Sequence, residues 1–175
     1  QRKGNKWIKI ALYVFGGILA LILIAVIGLN LFLSYSKPKV SGEVIVNILD
    51  ADVTVMRDDM GVPHIEAKSD AELYRAQGYV EAQDRLFQMD LSRRQASGRL
   101  SEVVGEGALR TDKFFRTFSL RHAAEQSWDG YSAESQQILQ WFAEGVNAYI
   151  NEVKGTSKLS FEFKLLGYEP EPWTP

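Results

Sequence analysis

G-Y-V-E-A-Q-D-R-L-F-Q-M-D-L-S-R-R, running from Gly78 to Arg94, reads as a helix with apolar residues on more than one side. Projected at about 100° per residue, Tyr79, Val80, Ala82, Leu86, Phe87, Met89 and Leu91 spread over roughly 220° of its surface. That is wider than the stripe of a helix packed from one side, so this helix is expected to be covered from two. Gln83, Asp90, Arg93 and Arg94 fall inside the broad face, leaving Glu81, Arg85, Gln88 and Ser92 on a narrow polar side. Asp90 reaches Arg93 and Arg94 at i+3 and i+4. A carboxylate drawn into a low-dielectric interior is costly unless a cation and hydrogen bonds accompany it. The spacing therefore predicts a buried, internally compensated ion cluster, either a structural ion pair or the floor of an active site.

Working outward, Ser69 followed by Glu72 is a capping box, which places the helix over Asp70 to about Ala96 with Gly98 ending it. Gly78 interrupts it at about 1 kcal/mol relative to Ala; a kink, or close contact with a neighbouring backbone, would account for it. G-R-L-S-E-V-V-G (98–105) follows as one or two turns closed by Gly105 or Gly107. Asp112 to about Ser127 is predicted as a weaker single helix with Phe114, Phe115, Phe118 and His122 on one face, and His122 is read as packed beside those rings rather than catalytic. A clearer helix spans Tyr131 to Lys154, capped by Ser132 or Ser135, with Ile138, Phe142, Val146, Tyr149 and Val153 at helical spacing. Gln140, Glu144, Asn147 and Asn151 take its opposite face, and Trp141 is read as core. The tail L-L-G-Y-E-P-E-P-W-T-P (165–175) is expected to be extended because of its prolines. Tyr168 and Trp173 are set up to dock on something, which reads as a structure continued by further polypeptide or by a partner.

Upstream, Glu43–Leu49 and Val53–Met56 are rich in β-branched residues and are predicted strands. Asp58-Asp59-Met60-Gly61 is a turn signal, giving a hairpin of V-T-V-M-R-D against G-V-P-H-I-E-A. Pro63 cannot donate a ladder hydrogen bond, so its strand is an edge or begins there. No second histidine, cysteine or close acidic partner stands at ligand spacing from His64. Asp58 and Asp59 lack the alternating acidic pattern of a calcium loop and are read as turn residues.

Across 175 residues the apolar fraction of 46% supports a real core, and the absence of cysteine excludes a disulfide framework, a thiolate nucleophile and a cysteine zinc site. Arg2, Lys3, Lys6 and Lys9 precede the first acid, Glu43, so the rest of the chain carries 16 basic against 22 acidic groups. Nucleic acid is not an expected partner. Ile10 to Leu33 holds no ionisable group apart from Tyr13, a run long enough to span a bilayer. A secretory signal has a shorter apolar core and a small-residue cleavage site, and L-F-L-S-Y-S-K-P-K offers no convincing one. The reading is an uncleaved anchor with the amino terminus in the cytoplasm and the remainder extracytoplasmic, or a secreted protein if the anchor is cut. Three regions follow: 1–36, a basic tip and transmembrane anchor; 37–52, a linker and first strand; 53–175, the working part.

Five blocks, R-D-D-M-G-V-P-H-I (57–65), G-Y-V-E-A-Q-D-R-L-F-Q-M-D-L-S-R-R (78–94), G-R-L-S-E-V-V-G (98–105), F-A-E-G-V-N-A-Y-I (142–150) and L-G-Y-E-P-E-P-W (166–173), occur in an order that resembles the amino-terminal, or α, portion of the penicillin acylase family. The resemblance covers about Val53 to Pro175 and implies an α+β chain forming part of a four-layer αββα N-terminal nucleophile hydrolase fold, completed by a β chain from the same precursor. It further implies that autoproteolysis exposes a serine at the start of that β chain. A terminal amine titrating near pH 8 beside its own hydroxyl can take the proton as the hydroxyl attacks an amide, and an Asn side chain and backbone N–H groups would stabilise the oxyanion.

The family's nucleophile, oxyanion groups, acyl pocket and most of its calcium ligands match positions beyond Pro175. The resemblance therefore transfers no catalytic residue and no cofactor to this chain; calcium is expected only through the β chain. Asp84, Arg85, Asp90 and Arg94 are expected to be scaffold, a structural ion cluster holding the long helix against the sheet. The implied activity is hydrolysis of a linear amide, the N-acyl group of a penicillin, an acyl-homoserine lactone or a similar small molecule. The alternative from the residues alone is a membrane-tethered binding or assembly module without chemistry of its own.

Overall fold

The computed structural model describes residues 4–34 and 36–175, which fall into two compact units divided after Lys37. The first unit contains helix α1, Gly4–Ser34. Its residues 6–34 are long and apolar enough to cross a bilayer by length and composition. The polar residues of its final turns bond within the helix, Asn30 donating its amide to Val26 O at 3.0 Å and Ser34 its hydroxyl to Leu31 O at 2.7 Å.

The second unit is helix-rich with one small sheet. Strands β1 (Thr54–Arg57) and β2 (Pro63–Glu66) pair antiparallel, with Val55 opposite Ile65 and Arg57 opposite Pro63. Pro63 sits at the first position of its strand, where its missing N–H costs least. Glu43–Leu49, predicted as a strand, is not one: the chain turns at Val46–Leu49 through a 3.1 Å hydrogen bond. Its β-branched residues have no neighbouring strand among the described residues, and composition without a ladder partner does not make a strand.

Helix α2 covers Asp70–Ala96 and α6 covers Ala133–Val153. Ser69 caps α2, its hydroxyl accepting from the Glu72 N–H, and Ser132 caps α6 by accepting from the Ser135 N–H at 3.1 Å. Gly98 ends α2 at φ 64, against Arg116 and the Asp112 carbonyl, where a β-carbon would collide. The kink in α2 falls at Arg85 (φ -139, ψ 16) and not at Gly78. Gly78 provides the close contact instead: a β-carbon there would lie 2.1 Å from Phe142 O, and one on Gly145 would lie 1.9 Å from Arg75 O. The two helices thus cross backbone to backbone, and this crossing carries the core.

That core comprises Tyr79, Val80, Ala82, Leu86 and Met89 of α2 against Val146, Tyr149, Ile150 and Val153 of α6, closed by Leu159 and Phe163. Tyr79 and Tyr149 meet edge to face at 5.5 Å, a geometry worth about 1 kcal/mol beyond its area. Burial raises the Tyr149 hydroxyl to about 12. Between the long helices lie α3 (Ser101–Val104), α4 (Leu109–Phe118) and α5 (Leu120–Ser127), and α7 (Phe161–Leu166) precedes the tail.

The single helix predicted over Asp112–Ser127 is broken in two. Ser119 takes φ 53, a left-handed conformation that ends α4. The break separates His122 from the ring face: Phe114 meets both Phe115 and Phe118, while His122 is exposed.

Candidate functional site

The carboxyl end of α2 gathers the second unit's densest set of charges. Asp90, fully buried, accepts from Arg93 Nε and Nη2 at 2.9 and 2.7 Å on one oxygen. On the other it accepts from Arg94 Nε at 2.8 Å and the Tyr168 hydroxyl at 2.9 Å. Arg94 continues to Glu102 at 3.0 Å and Glu171 at 3.2 Å, and Arg99 holds the same two carboxylates. Three acids thus face three arginines. Arg99 first, then Arg94, hold the Glu171 carboxyl down to about 2, and hydrogen bonding to Arg99 lowers Glu102 likewise. The Tyr168 hydroxyl is pushed up by burial and by the Asp90 charge.

These bonds fasten the proline-rich tail to the helices. Arg93 donates to the carbonyls of Glu171 and Pro172 at 2.7 and 2.8 Å and lies 4.9 Å over the Trp173 ring. Asn147 of α6 brackets the Trp173 backbone, donating to its carbonyl at 2.9 Å and accepting its N–H at 2.7 Å. Tyr168 and Trp173 therefore dock on this chain's own α2 and α6.

The four residues singled out from the sequence do not form one cluster. Asp90 and Arg94 are its centre. Asp84, six residues earlier and about 9 Å along the axis, pairs with Arg57 of β1 through two bonds of 2.8 and 2.9 Å. This pair, with Gln83 at 3.2 Å, ties the hairpin to α2. Arg85 is exposed, makes no ion pair among the described residues and marks the kink in α2.

Arg57, Arg99, Glu102 and Glu171 were not singled out from the sequence. Arg57 and Glu171 lie 27 and 77 positions from their helix partners, beyond any local rule. One signal was available: Arg93, Arg94 and Arg99 fall within seven residues containing no acid, which demands carboxylates from elsewhere.

Chemically this network is saturated. Each carboxylate is held by arginine, so it fixes shape and offers no free base. His64, on β2, stands 3.5 Å from Asp58 in the preceding turn, an acidic partner that the spacing in the chain did not suggest, and among the described residues no serine hydroxyl bonds to it. Among the described residues no group of three or more His, Asp or Glu is placed to hold a metal. Two open clefts flank the hairpin. One of about 190 Å3 is lined by Lys39, Val46, Arg57 and Tyr79, and one of about 700 Å3 by Met60, Pro63, Leu73 and Arg85.

Comparison with known proteins gives this scaffold its context. The family model for penicillin amidase matches residues 52–175. A penicillin acylase 2 proenzyme from Pseudomonas sp. (strain SE83) is 41% identical over 143 residues, covering 82% of this chain and 18% of that protein. The acyl-homoserine lactone acylase QuiP of Pseudomonas aeruginosa is 41% identical over 140 residues, covering 80% and 16%. A thermostable penicillin G acylase from Alcaligenes faecalis superposes with a TM-score of 0.63 at 36% identity, covering 70% of this chain and 66% of that one. The chain spans less than a fifth of the length of these curated relatives.

Proposed function

The chain belongs to the penicillin amidase family, and from that membership we propose that it is the amino-terminal part of an extracytoplasmic amidohydrolase which splits a linear amide into a carboxylate and an amine. The observation that carries this reading is the match over residues 52–175, shared by relatives named for penicillins and for acyl-homoserine lactones. In this reading the reacting hydroxyl is a serine at the start of a second chain, released from the same precursor, and the αββα layers are completed by that chain. The saturated ion network supports a scaffold role for α2 and α6. The hairpin supports the added layers: Val55, Met56 and Val62 are 39%, 50% and 49% exposed, an apolar surface and open strand edges suited to further strands. Residues 6–34 act as the anchor that holds the enzyme at the outer face of the membrane.

The test is to express the whole open reading frame and read the mass and amino-terminal sequence of each purified polypeptide. Two chains are expected, the second beginning with serine, together with hydrolysis of a chromogenic phenylacetyl or long-chain acyl amide that disappears when that serine becomes alanine. A single uncut polypeptide that hydrolyses the amide equally well would refute the mechanism.

A further inference from the structure

Helix α4 is held to the protein along one side. The buried carboxylate of Asp112 accepts from the Leu100 and Ser101 N–H groups at 2.8 Å each, and Arg116 donates to Gly98 O at 2.7 Å. At about 100° per residue, the side opposite Asp112 carries Arg110, Phe114, Thr117 and Phe118. Phe114 and Phe118 are 57% and 61% exposed, with ring centroids 4.7 Å apart. Leu120, 45% exposed, follows the patch at the start of α5. Arg110 and Lys113 make no ion pair among the described residues, and Arg121 pairs only with Glu125, at 2.8 Å. Residues 109–124 contain four Lys or Arg and one acid, the buried Asp112, in a chain that is acidic overall.

This mixture discriminates between occupants. The cores of protein interfaces are depleted in charge, lysine above all, and a polypeptide covering Arg110 and Lys113 would have to bring two carboxylates of its own to keep from stranding them. An anionic headgroup layer takes cations at its phosphates and aromatic rings at its acyl boundary. We propose that α4 and the start of α5 form a docking surface for an anionic lipid bilayer, with Phe114 and Phe118 entering the interface and Arg110 and Lys113 meeting the headgroups. The inference rests on the membrane reading of residues 6–34. Two rings and one leucine are too little to hold a free protein on a membrane, but a tether raises the local concentration of lipid so that a weak patch suffices to orient the protein.

The experiment uses the full-length processed enzyme in vesicles of phosphatidylcholine with or without phosphatidylglycerol. Phe118→Trp is the reporter, read as the difference from the unsubstituted protein because four tryptophans are already present. Quenching by lipids brominated in the upper acyl chain is expected to be at least about two-fold greater with phosphatidylglycerol. Arg110→Gln and Lys113→Gln should each lower the docked-to-undocked ratio roughly five-fold. Quenching by aqueous acrylamide alone would mean a wet face and overturn the proposal. Protection from both quenchers would mean that other polypeptide covers the patch, and would overturn it equally. Carbonate extraction of the native membranes reads the anchor separately; if the protein is released, the soluble enzyme added to phosphatidylglycerol vesicles still tests the patch through the same reporter.

Discussion

Replacing Gly145 with alanine would, in an exposed helix, stabilise it by about 1 kcal/mol. At the α2–α6 crossing the sign reverses. The new β-carbon would stand 1.9 Å from Arg75 O and 2.8 Å from Tyr79 N, so the helices must part by about 1.5 Å to restore an ordinary 3.4 Å contact. Both obstacles are backbone atoms, which cannot rotate aside, so the cost lies near the upper end of overpacking, about 3 kcal/mol. A gap of this size also forfeits more than half of the dispersion attraction between facing side chains, here Tyr79 and Val80 against Val146 and Tyr149. The net loss is about 2 kcal/mol, equivalent to roughly thirty-fold in an opening equilibrium. Amide hydrogen exchange of α2 and α6 in the full-length protein reads it locally, free of the two-state assumption that a large protein violates. Protection should fall by that factor in both helices. Gly78→Ala should act in the same way, since its β-carbon would lie 2.1 Å from Phe142 O. The double variant should cost less than the sum, because one parting of the helices relieves both clashes. Unchanged or increased protection in the Gly145→Ala enzyme would refute the crossing as described.

Asp90→Ala removes the acceptor shared by Arg93, Arg94 and Tyr168 and leaves Arg94, 5% exposed, with a buried charge short of its closest partner. The expected loss is about 3–5 kcal/mol, seen as cleavage within residues 168–173 by a protease that spares the parent. The Glu171 carboxyl is held down to about 2 by Arg99, so its contribution is present above the unfolded value near 4.5 and is lost as pH falls from there towards 2. Melting curves across that window should decline less steeply in Glu171→Gln than in the parent; parallel curves would contradict the assignment.

The elements legible in the sequence were those specified by neighbours in the chain. Ser69 with Glu72, Gly98 and Ser132 mark helix ends through hydrogen bonds or φ values that need no tertiary partner, and Asp90 with Arg94 is an i,i+4 pair. What escaped depended on distant or cooperative geometry. Glu43–Leu49 has strand composition but no ladder partner among the described residues, and the left-handed Ser119 splits a continuous helical pattern without a glycine to announce it. Asp84 reads as a neighbour of Arg85 and Asp90, yet its partner is Arg57 on the hairpin, 27 positions away in the chain.

The glycine crossing also dictates an order of assembly. It engages residues 70–153, so the helical pair can form before Leu159 and Phe163, which close its core, leave the ribosome. The hairpin, hung from α2 by the Arg57–Asp84 pair with clefts on either side, keeps one unpaired edge on each of its two strands. A translation pause downstream would prolong that exposure, and the hairpin, not the helices, is where nascent chains would aggregate.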